Sequence, residues 1–191
     1  MNKALSTVIA SLLLSAALLA PASAVTVEGV DLPETIAADS AELKLNGAGV
    51  RSKWFMDLYV GGLYVPQASD NAQSIIAADE PQAITLHIIS GMITSDKMTS
   101  ATLEGFESAT DGNMAPIQPQ IDAFMEVFKE EIKEGDVFEL VYVPGTGVQV
   151  MKNGQQRGVI EGMDFKKALF GIWLSDEPAQ EDLKQAMLGQ R

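Results

Sequence analysis

The side chain best placed to do chemistry in this 191-residue chain is an arginine. Arg51 stands in LNGAGVRSKWFMDLYVGGLYVP (residues 45–66), behind two spaced glycines and ahead of Trp54, Phe55 and Tyr59. A guanidinium is permanently charged and presents its donors as a planar fork, which matches a carboxylate or an oxyanion. At the mouth of an apolar cleft the low dielectric strengthens that charge, and the group can bind an anion or steady a developing one. At a solvated strand end the same residue only lays its stem along the neighbouring aromatics. On residue types alone the strand end is the simpler reading, and both stay open.

Other chemistries are narrowed by what the chain contains. It has one histidine, His87, and no cysteine. Thiol nucleophiles, disulfides and His/Cys metal clusters are thereby excluded, no metal site is expected, and a Ser–His triad is argued against by the place of that one histidine inside an apolar strand. His87 lies within the apolar run QAITLHIIS and reads as a half-buried strand residue with a single hydrogen bond. The stretch GAGVRS lacks the third glycine of a dinucleotide fingerprint and leads into a strand, and no Walker loop is present, so no cofactor is expected. Glu126, Glu130, Glu131 and Glu134 read as a solvated helix face without the loop spacing of a calcium site.

The elements that must position Arg51 follow from patterning. Residues 1–24 combine a positive start at Lys3, an apolar stretch from Ala4 to Ala20 and a small-residue site at Ala22 and Ala24, which predicts a cleaved signal peptide. The expected address is the periplasm, with secretion as second choice, and residues 25–191 are expected to form one domain. A net charge of −13 argues against nucleic acid and against anionic membrane surfaces.

Val25–Ser40 reads as a turn-rich lead-in. Strands are predicted over Ala41–Leu45, Lys53–Val65, Gln82–Ser90, Val137–Val143, Gly147–Lys152 and Gln156–Glu161, the last two joined by an NG turn. If the second strand begins early enough, alternation puts Arg51, Lys53, Phe55 and Tyr59 on one face. Helices are predicted over Ser69–Asp79, Thr94–Thr110, Ile117–Ile132, Asp164–Leu174 and Pro178–Leu188. Strands grouped apart from helices predict an α+β fold, an antiparallel sheet covered by helices.

Three segments resemble the chalcone isomerase superfamily. LNGAGVRSKWFMDLYVGGLYV is similar to the family's GAGVR segment and the apolar strand after it. ITLHIISGMITSDKMTSAT (Ile84–Thr102) resembles the next block, a strand, a glycine and a YSEKV-like helix start. Glu161–Leu188 is similar to the C-terminal helix pair, and the version nearest this chain looks like an exported bacterial member. The resemblance implies a chalcone isomerase-like open-faced sandwich with Arg51 as the family arginine. It places Tyr59 where catalytic members use a threonine, Thr94 where they use a tyrosine, Ala101 where they use an asparagine, and Ile172 near a small hydroxyl residue.

With that donor set replaced, efficient ring-closing isomerase activity is not expected, because each lost donor costs about 2.7–4 kcal/mol of transition-state stabilisation. Thr94 also reads as a helix N-cap. The resemblance instead implies a carrier of a small amphipathic carboxylate, fatty-acid-like, or an aromatic ligand, bound by Arg51, Phe55, Tyr59 and Thr94. Met92, Met98, Phe170 and Trp173 are expected to join Phe55 and Tyr59 in the walls. Two alternatives remain: an intramolecular lyase using Arg51, Tyr59 and Thr94, and a periplasmic assembly partner in which Arg51 meets another chain.

Overall fold

The computed structural model describes residues 24–190, so the expected leader, apart from Ala24, lies outside the described residues. From Thr35 to Ile160 the chain builds a sheet in which every strand pairs with its sequence neighbour. The first two strands, β1 (Ala24–Val27) and β2 (Val30–Pro33), form a separate hairpin. The sheet itself comprises β3 (Thr35–Ala38), β4 (Ala41–Lys53), β5 (Met56–Val65), β6 (Gln82–Ile88), β7 (Val137–Val143), β8 (Gly147–Lys152) and β9 (Gln155–Ile160). Its order is β3-β4-β5-β6-β7-β8-β9, antiparallel throughout.

Side-chain alternation gives this sheet two unlike faces. On one face Leu63, Ile84, Leu86, Phe138, Leu140 and Val150 are buried against the helices. The other face carries a smaller cluster of Leu43, Tyr64, Ala83 and Val141. The covering helices are α1 (Ala72–Ala77), α2 (Ser95–Ala109), α3 (Gln118–Met125), α4 (Met163–Leu174) and α5 (Glu181–Met187), with 3-10 turns at Ala115–Ile117 and Glu126–Lys129 on either side of α3. Phe106 of α2, Phe124 of α3 and Phe165 of α4 form a ring cluster with centroids 5.6 to 6.1 Å apart. Each such ring, fully removed from water, contributes about 1.5–3 kcal/mol. The result is the expected α+β open-faced sandwich.

One polar group is buried among these helices. Lys166 of α4 is inaccessible to solvent, and its Nζ donates to the carbonyls of Ile75, Ile76 and Ala78, each at 2.9 Å. These are carbonyls at the C-terminal end of α1 that have no partner within the helix, so the ammonium closes α1 onto α4. Burial depresses its pKa to about 8.

Two expectations are corrected. The lead-in Val25–Ser40 is mostly strand, since β2, β3 and all of β1 but Ala24 fall within it. The strand expected from Lys53 to Val65 is interrupted: β4 runs on to Lys53, the chain reverses at Trp54 and Phe55, and β5 begins at Met56. A two-residue turn here carries aromatic rings in place of the Asn, Asp or Gly that ordinarily mark it.

Candidate functional site

The reversal at Trp54 and Phe55 decides where Arg51 points. Arg51 of β4 sits directly across from Tyr59 of β5, followed by the pairs Gly49↔Gly61 and Gly47↔Leu63. Directly opposed residues share a face, so Arg51 and Tyr59 project together to the helix side. The glycines expected to punctuate the sequence have a packing role. A Cβ at Gly47 would lie 2.1 Å from the Ala186 carbonyl oxygen, and one at Gly49 would lie 2.6 Å from the Ala186 Cβ. Bare backbone at both positions lets α5 lie flat on β4.

That contact brings up a residue the sequence pattern did not single out. Gln180, at the N-cap of α5, leaves the helix uncapped and turns its side chain to β4. Its Oε1 accepts from Arg51 Nη1 at 3.0 Å and from the Ser52 amide at 2.8 Å, while Nε2 reaches the Val50 carbonyl at 3.4 Å. Arg51 Nη1 also donates to the Ser52 carbonyl. The guanidinium is thus held through one nitrogen. Among the described residues it pairs with no carboxylate, and its Nε and Nη2 have no partner.

Arg51 and Tyr59 border a cavity of about 680 Å³ between the sheet and the helices, within the usual range for small-molecule sites. Leu86, Phe138 and Leu140 form its floor, Met98 and Thr102 of α2 one wall, and Trp173 of α4 another. Trp173 Nε1 donates to the Tyr59 hydroxyl at 2.9 Å. Among the described residues nothing accepts the Tyr59 proton, which leaves it free to donate into the cavity. Burial raises the Tyr59 pKa, opposed in smaller measure by the Trp173 hydrogen bond and the Arg51 charge. Near neutral pH the phenol therefore keeps its proton. A half-buried cation and a buried hydroxyl donor face one apolar space, an arrangement suited to the head of an amphipathic anion.

The structure separates the other expected site residues. Met92, Met98 and Trp173 border the cavity as anticipated. Phe55 does not, because it stands at the hairpin tip wholly in solvent. Thr94 does not either. It is exposed and serves as the N-cap of α2, accepting from the Lys97 amide at 3.3 Å. Phe170 lies in the core, its ring 5.0 Å from Lys166 Nζ. Ala101 and Ile172, where the resemblance puts polar groups in catalytic members, do line the cavity and contribute only carbon. Among the described residues no three His, Cys, Asp or Glu side chains are grouped to hold a metal.

The family profile described as chalcone isomerase-like matches residues 24–189. The chain belongs to the chalcone isomerase-like family. The crystal structure of an Arabidopsis thaliana fatty-acid binding protein is similar with a TM-score of 0.69 at 17% sequence identity, over 87% of this chain and 96% of that one. At such identity the likeness concerns the fold. No curated protein matches the chain in sequence. Within the chalcone isomerase-like fold, Arg51 and Tyr59 keep a charge and a hydroxyl at the sheet end of the cavity, while Met98 and Ala101 of α2 and Ile172 and Trp173 of α4 give it apolar surface beside polar α2 residues such as Ser100, Thr102 and Glu104.

Proposed function

We propose that this chalcone isomerase-like protein is exported and binds a small amphipathic carboxylate, fatty-acid-like in form, with its head on Arg51 and its tail in the apolar cavity. The observation that carries the reading is the guanidinium itself: half-buried, held by Gln180 through one nitrogen, and without a carboxylate partner among the described residues. A charge kept in such a place without a counter-ion calls for one, since burying an unpaired ion is costly. Tyr59 supplies a second donor from across the strand pair. Each methylene of an alkyl tail withdrawn from water adds about 0.8 kcal/mol, so the cavity supplies affinity and the head supplies orientation. The structurally similar Arabidopsis protein is named for binding fatty acids, which supports the same ligand class here. The ring-closing alternative is less well supported, because Thr94 lies away from the cavity and Ala101 and Ile172 bring no donors.

The test uses a fluorescent long-chain fatty acid and its methyl ester, titrated into delipidated protein. The acid is expected to bind at least about tenfold more tightly than the ester, which offers no charge to Arg51. Equal affinities for acid and ester would remove Arg51 from the site.

A further inference from the structure

Five large apolar side chains stand exposed among the described residues: Trp54, Phe55, Met56, Met92 and Val159. The first three are consecutive at the β4–β5 turn, and Trp54, Met56 and Met92 border the cavity. Four of the five therefore gather at one end of the molecule, beside the cavity's solvent-facing lining. The exposure is extreme at the apex, 83% for Trp54 and 102% for Phe55. Trp54 also holds φ at 67°, at the first central position of a two-residue turn. That position ordinarily goes to glycine, because a bulky residue there strains the backbone. A turn needed only for reversal has no use for a tryptophan at that point or for a phenylalanine beside it.

We propose that the Trp54–Phe55 apex, with Met92 beside it, docks the protein on the surface of a zwitterionic lipid bilayer, so that the cavity takes up and releases its ligand there. Shape and area favour this occupant. A stable protein interface buries about 800 Å² per partner, whereas two aromatic side chains supply about 150–250 Å² each. They project from a narrow tip, as an interfacial anchor requires. Tryptophan favours the membrane–water boundary, and Lys53 beside it at the rim can keep its head in water while its stem follows the ring.

Charge agrees. The chain carries −13 overall, yet the charged side chains bordering the cavity balance, Arg51, Lys53 and Lys97 against Asp96, Glu104 and Glu177. With Asp57 beside the turn the docking end carries about one net negative charge at most, which suits a neutral surface, and the molecule as a whole repels an anionic one. Two copies joined apex to apex would close the cavity's rim against each other. The purpose assigned to docking rests on the ligand reading above, but the docking stands or falls separately.

Flotation of the unliganded protein with pure phosphatidylcholine vesicles tests it, with Phe55→Ser as the variant because Phe55 lies outside the cavity. Wild type is expected to float, and Phe55→Ser to lose vesicle partition by about tenfold or more. Vesicles with brominated acyl chains should quench the exposed Trp54. Adding phosphatidylglycerol should weaken wild-type binding. Transfer of a fluorescent fatty acid from vesicles should speed up with vesicle concentration for wild type and slow in Phe55→Ser, whose affinity for the acid in lipid-free buffer is unchanged. Wild type that does not float, Phe55→Ser that floats equally, stronger binding to phosphatidylglycerol, or a dimer that Phe55→Ser dissolves would each overturn the proposal. Flotation that persists while the acid fails to bind would remove the ligand reading alone.

Discussion

Replacing Arg51 with alanine separates a binding role from a structural one, because the structure assigns them different costs. On the folding side little is lost. Gln180 Oε1 retains the Ser52 amide at 2.8 Å, and the Ser52 carbonyl, the other acceptor of the guanidinium, belongs to a part-exposed residue, so removing the guanidinium strands no fully buried acceptor. Stability should fall by no more than about 0.5–1.5 kcal/mol, the net worth of the part-exposed bond to Gln180. On the binding side, the free Nε and Nη2 are lost as charge-assisted donors, each class of bond being worth about 1.5–3 kcal/mol. Arg51 is only part-buried, so one such bond is the fair measure of the whole effect. That corresponds to about ten- to a hundredfold in the affinity of a fatty acid. Arg51→Lys should recover part of it, because an ammonium brings the charge without the paired fork. The assay is a fluorescent fatty-acid titration of the three proteins, with the methyl ester run in parallel and thermal melts as control. The ester should not distinguish them. Identical acid affinities in all three, or an ester that weakens as much as the acid, would refute the reasoning.

Gly47→Ala should lower stability by about 1–3 kcal/mol and weaken acid binding as well, because its Cβ meets the Ala186 carbonyl at 2.1 Å and must push α5, with Gln180, off β4; an unchanged melting temperature would contradict that packing account. Purified protein should leave hydroxychalcone closure at the buffer rate, since the cavity offers apolar Ala101 and Ile172 where donors are needed; stereoselective turnover at about 1–1000 per second would show otherwise. The Tyr142 hydroxyl donates to Asp79 Oδ1 at 2.6 Å, and burial, followed by the Asp79 hydrogen bond and charge, raises its pKa to about 12 from an ordinary 10. A raised folded pKa gives a contribution fully present below pH 10 and lost as pH rises through 12. Tyr142→Phe should therefore be less stable than wild type at pH 8, and urea midpoints should show the gap closing towards pH 12.

Much of the scaffold was legible in residue spacing. The alternation of Leu43 and Leu45 with charged residues, the NG turn after Lys152, and the capping Thr94 all mark local preferences that packing had no reason to override. The tip at Trp54 and Phe55 was not legible, because aromatic residues favour strands and give no turn signal. Phe170 and Trp173 lie three positions apart on one helix, and only the docked neighbours decide that one lies beside Lys166 while the other meets Tyr59. Gln180 gave no signal at all, since its role depends on a strand far away in sequence. The expectation for Arg51 and Tyr59 placed them on one face of a single strand. They do share a face, but across the hairpin, and that register is a tertiary fact. Gly47, Gly49 and Gly61 did carry a readable hint, a bare patch on a sheet where a helix can lie.

The clamp between Gln180 and Arg51 spans 129 positions of sequence. Contacts of that separation form late, after the entropy of closing the intervening chain has been overcome. A folding intermediate with a complete sheet but an undocked α5 would leave its arginine without Gln180 and would free the link into α5, whose Glu177, Pro178 and Ala179 border the cavity. Ligand binding in this protein thus reports on the finished fold, and a bound ligand in turn resists the peeling away of α5. Amide exchange in α5 should slow when the cavity is filled, while the strands β6 and β7 beneath it keep the rates they have without ligand.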